Sequence, residues 1–329
     1  MDIAPPSATD GFINSPAELL RELQLDPALP ELDAARRREF PLHVPRSFVR
    51  RMRCGDPRDP LFLQVWPAAA EAMETAGFSL DAVGELGQRE AGGVIRKYHG
   101  RALIVTTGAC AVNCRYCFRR HFPYAQSAAD GHDWHTTLDT LAADPSISEA
   151  ILSGGDPLSL SNARLAALVH GLDAIPHLKR LRIHTRVPVV QPSRVDAGCI
   201  GWLTGGRLQR IVVVHANHAN EIDADVAAAC QRLRGTGALL LNQSVLLRGV
   251  NDSATALATL SYRLCEVGIL PYYLHMLDRV QGAAHFEVQE LEATRLMKEL
   301  VAELPGYLVP RLVREISGRL AKTRVQWSD

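Results

Sequence analysis

The chain has 329 residues, 47% of them hydrophobic, with 36 basic side chains balanced by 36 acidic ones. That length and apolar content can bury a large core and suit one α/β barrel with an added segment, or two domains. Zero formal net charge leaves no footprint for nucleic acid or an acidic membrane surface. Seven unevenly placed cysteines do not form a secreted disulfide pattern, and no uncharged apolar run is long enough to span a bilayer. The start, Met1 to Asp10, lacks a basic region followed by an apolar one, so a cytoplasmic enzyme is expected.

Residues 1 to 95 read as helices and loops. Ser15-Pro-Ala-Glu-Leu-Leu-Arg-Glu-Leu23 offers a serine N-cap, a proline in the first turn and apolar spacing behind it, whereas the prolines at 57, 60 and 67 punctuate a loop. From Arg101 onward short apolar runs alternate with helical stretches. Strands are predicted over 102–105, 150–152, 181–184, 211–214, 239–242 and 271–274, and helices over 162–172, 223–234 and 253–267. This alternation argues for βαβ units in a parallel sheet. Six units over residues 96–288 predict an α/β fold, an incomplete (βα)6 parallel barrel with ligands at the carboxyl ends of its strands. A segment over 289–329, opened by a helix at 290–304 and stopped by Pro305-Gly306, is left to close the gap.

Behind the first strand, Cys110-Ala-Val-Asn-Cys114-Arg-Tyr-Cys117 sets three thiols at i, i+4 and i+7. Thiolates are soft ligands that favour zinc or iron-sulfur clusters, and three of them leave open a position that a structural site closes with a fourth. The same spacing describes one face of a buried helix, but Arg115, Arg119 and Arg120 interrupt it, and Gly108 and Asn113 read as loop. A three-cysteine zinc site of the deaminase kind would need His-x-Glu and Pro-Cys-x-x-Cys signatures, which are missing. The stretch therefore reads as a cluster-binding loop.

The later strand ends are polar. After the second comes Ser153-Gly154-Gly155-Asp156-Pro157, either a plain turn or a place for close backbone approach to a ligand. The third ends in His184-Thr-Arg186, the fourth in His215-Ala-Asn217-His218, and the fifth in Asn242-Gln-Ser244 with Arg248 beyond. His215 and His218 read as hydrogen-bonding groups ahead of metal ligands. Asp278, after the sixth strand, is either a solvated loop acid or a carboxylate aimed into the barrel mouth. Among the basic residues only Lys97, Lys179, Lys298 and Lys322 are lysine, and only an amine can deprotonate and bond to an aldehyde cofactor. Taken alone, Lys322 reads as a surface lysine.

At Cys110, Cys114 and Cys117 the chain resembles the radical S-adenosylmethionine (SAM) enzymes. More narrowly it resembles the lysine 2,3-aminomutase family, through Ser153-Gly154-Gly155-Asp156, His275-Met-Leu-Asp278, Gly282-Ala-Ala-His285-Phe286 and the Lys322-Thr pair that follows Glu315 and Gly318. The wording around His275 and His285 is that of the branch serving elongation factor P. This resemblance implies a fold of radical SAM type, with a [4Fe-4S] cluster on Cys110, Cys114 and Cys117. It also implies S-adenosyl-L-methionine at Ser153, Gly154, Gly155 and Asp156, and pyridoxal 5'-phosphate on Lys322 with Lys97 and Arg101 near its phosphate. It implies L-lysine as substrate, its carboxylate forked by Arg119 and its distal ammonium held by Asp278 and Glu315, and (R)-β-lysine as the product for elongation factor P. Glu315 and His275 are departures, standing where the free-lysine enzymes carry aspartate and tyrosine. A homo-oligomer is left open, and neither nucleic acid nor membrane is expected as a partner. Two other readings stay open: an aminomutase for another amino acid, and a non-catalytic iron-sulfur or zinc protein.

Overall fold

The structure, a computed structural model, describes residues 11–124, 134–319 and 321–327, so the opening stretch read above lies outside it. The N-terminal region pairs β1 (Phe12–Ile13) with β2 (Val44–Pro45) antiparallel and carries four short helices, α1 (Pro16–Glu22), α2 (Ala34–Glu39), α3 (Arg46–Val49) and α4 (Pro60–Leu63). Local chemistry sets their starts. Asp33 accepts hydrogen bonds from the backbone N–H of Ala35 and Arg36, and buried Asp59 from those of Leu61 and Phe62, which satisfies donors that a helix start leaves open. Ser15 occupies the N-cap of α1 in extended conformation but makes no side-chain cap bond.

Among the described residues a nine-stranded sheet follows, in the spatial order β3 (Val94–Tyr98), β4 (Arg101–Thr107), β5 (Glu149–Gly154), β6 (Arg180–Thr185), β7 (Gln209–Val214), β8 (Leu239–Val245), β9 (Leu270–His275), β10 (Arg311–Arg314) and β11 (Thr323–Arg324). Strands β4 to β10 run parallel, while β3 and β11 pair antiparallel at the two edges. Helices α5 (His135–Ala142), α6 (Asn162–Ala174), α7 (Val187–Val190), α8 (Ala197–Leu203), α9 (Ala224–Gly235), α10 (Ala254–Glu266) and α11 (Glu290–Glu303) lie in the connections between successive parallel strands. None of the described helices is long and apolar enough to cross a membrane.

All six predicted strands lie inside β4 to β9, and the sheet stays open as an incomplete barrel should. Two features differ from the expectation. The boundary expected after residue 95 falls inside β3, which is joined to β4 by the tight turn at His99-Gly100, where Gly100 takes a φ of +71°. The C-terminal segment adds two strands to the sheet instead of only covering its gap, because Leu312 and Val313 continue the buried edge left by β9.

Strand side chains alternate between faces. One set, including Ala102, Ile104, Ala150, Leu152, Leu181, Ile183, Val212 and Val214, packs with Leu165, Leu168 and Leu172 of α6 and Val226 and Leu233 of α9. Ile13, Leu19, Phe48, Leu61 and Phe62 of the N-terminal region belong to the same contiguous apolar cluster. The N-terminal region thus shares its core with the sheet. Phe48→Ala is expected to cost about 3–5 kcal/mol, and circular dichroism and tryptophan fluorescence should report one coincident urea transition. Two separate transitions would show that the region folds by itself.

Candidate active site

The other set of strand side chains points inside the curve of the sheet, and beside apolar Ile95, Leu103, Ile151 and Val245 it carries many polar groups. Lys97 of β3, Arg101 of β4, Ser153 of β5, Arg182 and His184 of β6, Gln243 of β8, and Tyr273 and His275 of β9 line a cavity of about 690 Å³. Such a face would be a poor core, since each buried polar group needs a partner. The same cavity is bordered by Cys110, Cys114, Cys117, Arg119, Gly154, Gly155, Asp156, Asp278, Glu315 and Lys322, so the structure brings every residue predicted for the site to one place.

The thiol loop leaves β4 after Thr107 and runs as turns, not helix. Its arginines are inside the protein. Arg115, with no exposed surface, forks onto Glu71 through Nε (2.8 Å) and Nη2 (2.5 Å) and reaches the Phe40 carbonyl at 2.8 Å. Arg120 meets the same Glu71 carboxylate at 2.6 Å and the Gly282 carbonyl at 3.0 Å. Glu71 lies on the 3-10 turn Ala69–Ala72 of the N-terminal region, so a segment without chemistry of its own fixes the loop that bears the thiols. The two glycines at the end of β5, Gly154 and Gly155, are required by the approach of this loop. Gly154 has a φ of +117°, and a Cβ on Gly155 would stand 2.3 Å from the Ala109 carbonyl oxygen.

Elsewhere on the cavity wall Lys322, Glu315 and Asp278 come together. Glu315 accepts from Lys322 Nζ at 3.0 Å, pairs with Lys97 Nζ at 2.7 Å and accepts from the Tyr98 hydroxyl. Burial opposes its ionisation, but the Lys322 charge and the Lys97 and Tyr98 donors prevail and hold it down at about 2. Asp278 is the reverse case. Burial pushes its carboxyl up to about 7, with Lys322 pulling down and Glu315 pushing up. Among the described residues its side chain makes no hydrogen bond or ion pair. His184, His215 and His275 also face the cavity, and burial lowers all three well below the ordinary imidazole range, His215 to about 3, so they are neutral donors and acceptors. Nε2 of His184 and of His215 is buried without a hydrogen-bond partner among the described residues.

Several expectations change in detail. Arg119 was expected to fork a substrate carboxylate, yet its fork is filled by Glu85, through Nε at 2.7 Å and Nη2 at 2.8 Å, while Nη1 donates to Ser153 Oγ and the Gly154 carbonyl. Asp156 spends its carboxylate on Thr185 Oγ1 and the backbone N–H groups of Leu158, Arg186 and Val187, so it braces two strand ends. His215 and His218 diverge: the first lines the cavity, and the second accepts the Asn220 N–H at a turn. Asn217 and Asn242 tie neighbouring strand ends together, and Arg248 pairs with Glu292 away from the cavity. Sequence reasoning missed Glu85 and the Arg182–Glu149 pair, whose partners lie 34 and 33 residues apart with no local pattern to mark them.

A scan against protein-family models finds no match. Individual proteins do match. The L-lysine 2,3-aminomutase of Escherichia coli K12 is 49% identical over 313 residues, covering 94% of this chain and 91% of that protein. The enzyme of the same name from Haemophilus influenzae Rd is 48% identical over 311 residues, covering 94% and 92%. The chain belongs to the lysine 2,3-aminomutase family. It is accordingly an isomerase. A more distant relative, the L-lysine 2,3-aminomutase of Clostridium subterminale, is 32% identical over 272 residues, covering 82% of this chain and 65% of that protein.

The donor set of the thiol loop fits an iron-sulfur cluster. Three soft ligands on one loop open onto one cavity, and burial with mutual repulsion pushes the Cys110 thiol well up and the Cys117 thiol to about 11. A bound cationic centre would relieve both. Among the described residues no group of three His, Cys, Asp or Glu side chains has the geometry to hold a single metal ion. Lys322 fits an aldehyde cofactor, with its amine at the cavity and 5.8 Å from the Tyr273 ring. Gly155→Ala should destabilise the protein by about 1–3 kcal/mol, because the new methyl meets backbone. Gly201→Ala, at an exposed position of α8 with open space around it, should stabilise by about 0.5–1 kcal/mol. Thermal unfolding of the two variants checks this contrast.

Proposed function

We propose that the chain is a radical SAM, pyridoxal phosphate-dependent 2,3-aminomutase that converts L-lysine to (R)-β-lysine for modification of elongation factor P. The observation that carries this reading is the shared cavity, which borders the three thiols, Lys322 and the Asp278–Glu315 pair of acids. Cys110, Cys114 and Cys117 would hold a [4Fe-4S] cluster, SAM would sit at its open iron near Gly154 and Gly155, and Lys322 would hold pyridoxal phosphate with Arg101 near the phosphate. Bound there, these groups supply the radical and carbonyl chemistry, and the protein supplies position and electrostatics.

Asp278 is the residue for the distal ammonium of lysine. Its carboxyl is raised to about 7, its side chain has no hydrogen-bond or ion-pair partner among the described residues, and an arriving cation favours the ionised form. Glu315 is already engaged by Lys97, Tyr98 and Lys322, so it holds the Lys322 amine in place and leaves Asp278 to meet the substrate. Arg119, with Glu85, Ser153 and Gly154 on the rest of its N–H groups, keeps one Nη2 hydrogen for the substrate carboxylate in a fixed orientation. The neutral histidines add donors without adding charge. A lone acid at the distal end selects lysine and repels glutamate. The assignment to elongation factor P is supported by the resemblance at His275-Met-Leu-Asp278 and Gly282-Ala-Ala-His285-Phe286. Mass spectrometry of that factor from a strain lacking this gene should show the β-lysyl group missing.

Anaerobic incubation with L-lysine, SAM and dithionite should yield β-lysine, and Lys322→Ala and Cys110→Ala should yield none. Turnover of a different amino acid with lysine untouched would overturn the substrate assignment. Because the ionised Asp278 binds the ammonium, kcat/KM for lysine should rise with pH through about 7. Asp278→Asn should lose about 30-fold or more in kcat/KM and lose that rise.

A further inference from the structure

The three thiols of the loop have unlike surroundings. Cys114 Sγ accepts a hydrogen bond from Arg186 Nη1 at 2.7 Å, and the Tyr116 hydroxyl also lies against it. Cys117 receives the backbone N–H of Arg119, and among the described residues neither it nor Cys110 receives a side-chain N–H. We propose that Arg186 sets the reduction potential of the cluster by giving one of its three thiolates, that of Cys114, a charged N–H donor. The proposal rests on the reading of this loop as the ligand set of a [4Fe-4S] cluster.

Arg186 is built to hold that position. Its Nη2 donates to Gln64 Oε1 at 2.6 Å and to Glu221 Oε2 at 3.0 Å, and its own backbone N–H is fixed by Asp156 Oδ2 at 2.6 Å. The guanidinium lies between the Phe48 and Tyr116 rings, 5.3 and 5.7 Å from their centroids. Glu221, with no exposed surface, is held in turn by Gln64 and by the backbone N–H groups of Asn217 and His218. Freedom to swing away from Cys114 is thereby removed.

One-electron reduction adds a negative charge to the cluster and its thiolates. A fixed cationic donor on a sulfur stabilises the more negative state, and burial strengthens the effect, so Arg186 raises the potential. Glu221 works the other way by offsetting part of that charge. The two residues therefore have opposite signatures, which a merely structural role for either would not produce.

The test is an EPR-monitored titration with dithionite, without SAM, on reconstituted protein whose iron and sulfide have been assayed. Arg186→Gln should move the midpoint to more negative potential, Arg186→Lys should move it less, and Glu221→Gln should move it to more positive potential. Wild-type midpoints in both Arg186→Gln and Glu221→Gln, at full iron and sulfide content, would overturn the proposal. Should Arg186→Gln not fold, Glu221→Gln decides alone, and an unchanged or more negative midpoint overturns it. Failure of the wild-type protein to assemble a cluster would be seen first in the iron and sulfide assay, and it would remove the reading of the thiol loop and this proposal together.

Discussion

Glu315 is where the two ends of an open sheet meet. No hydrogen-bonded ladder joins β3 to β11 among the described residues, yet Lys97 and Tyr98 of β3 and Lys322, just before β11, share the one carboxylate that follows β10. Two ammonium groups brought this close in a half-buried place would repel strongly without the acid between them. Its charge bridges the two edge strands, neither of which has a further strand partner among the described residues. The same contact places the Lys322 amine inside that cavity, and its negative charge helps raise Asp278, so architecture and electrostatics share one cause.

A second set of charges holds the thiol loop. Glu71 binds Arg115 and Arg120, Glu85 binds Arg119, and Glu221 binds Arg186. Buried ion pairs of this kind add little net stability compared with apolar packing, but each half is costly to leave alone. Their effect here is positional, because several arginines around the thiols each admit one geometry. Glu71, Glu85 and Gln64 come from the N-terminal region, which gives a region that holds none of the predicted site residues a reason to pack into the same core as the sheet.

The parallel strands were legible because β-branched and leucine runs alternate with capped helices, a pattern that needs only local sequence. Strand β10 was not, since Arg311-Leu-Val-Arg314 is short and half charged and becomes a strand only because β9 offers it an edge. Of the residues that border the cavity, Cys110, Cys114 and Cys117 stand out by their spacing, and Asp278, Glu315 and Lys322 could be named only through the family resemblance. The partners that hold them could not be named at all. Glu85 has no motif, and its capture of the Arg119 fork follows from a long-range fold contact. Asp156 was legible as a site residue, but its work on the N–H groups around Arg186 appears only once β5 and β6 lie side by side.

Borohydride trapping reads most directly whether Lys322, in the cavity it shares with the thiol loop, is the cofactor lysine of an enzyme acting on lysine. Protein prepared anaerobically with pyridoxal 5'-phosphate is reduced, digested and mapped by mass spectrometry. The predicted result is a pyridoxyl-phosphate mass on the peptide carrying Lys322, removed from that peptide by prior addition of L-lysine and not by L-glutamate. A label on Lys97, Lys179 or Lys298 instead, or one that L-lysine leaves in place, would contradict it.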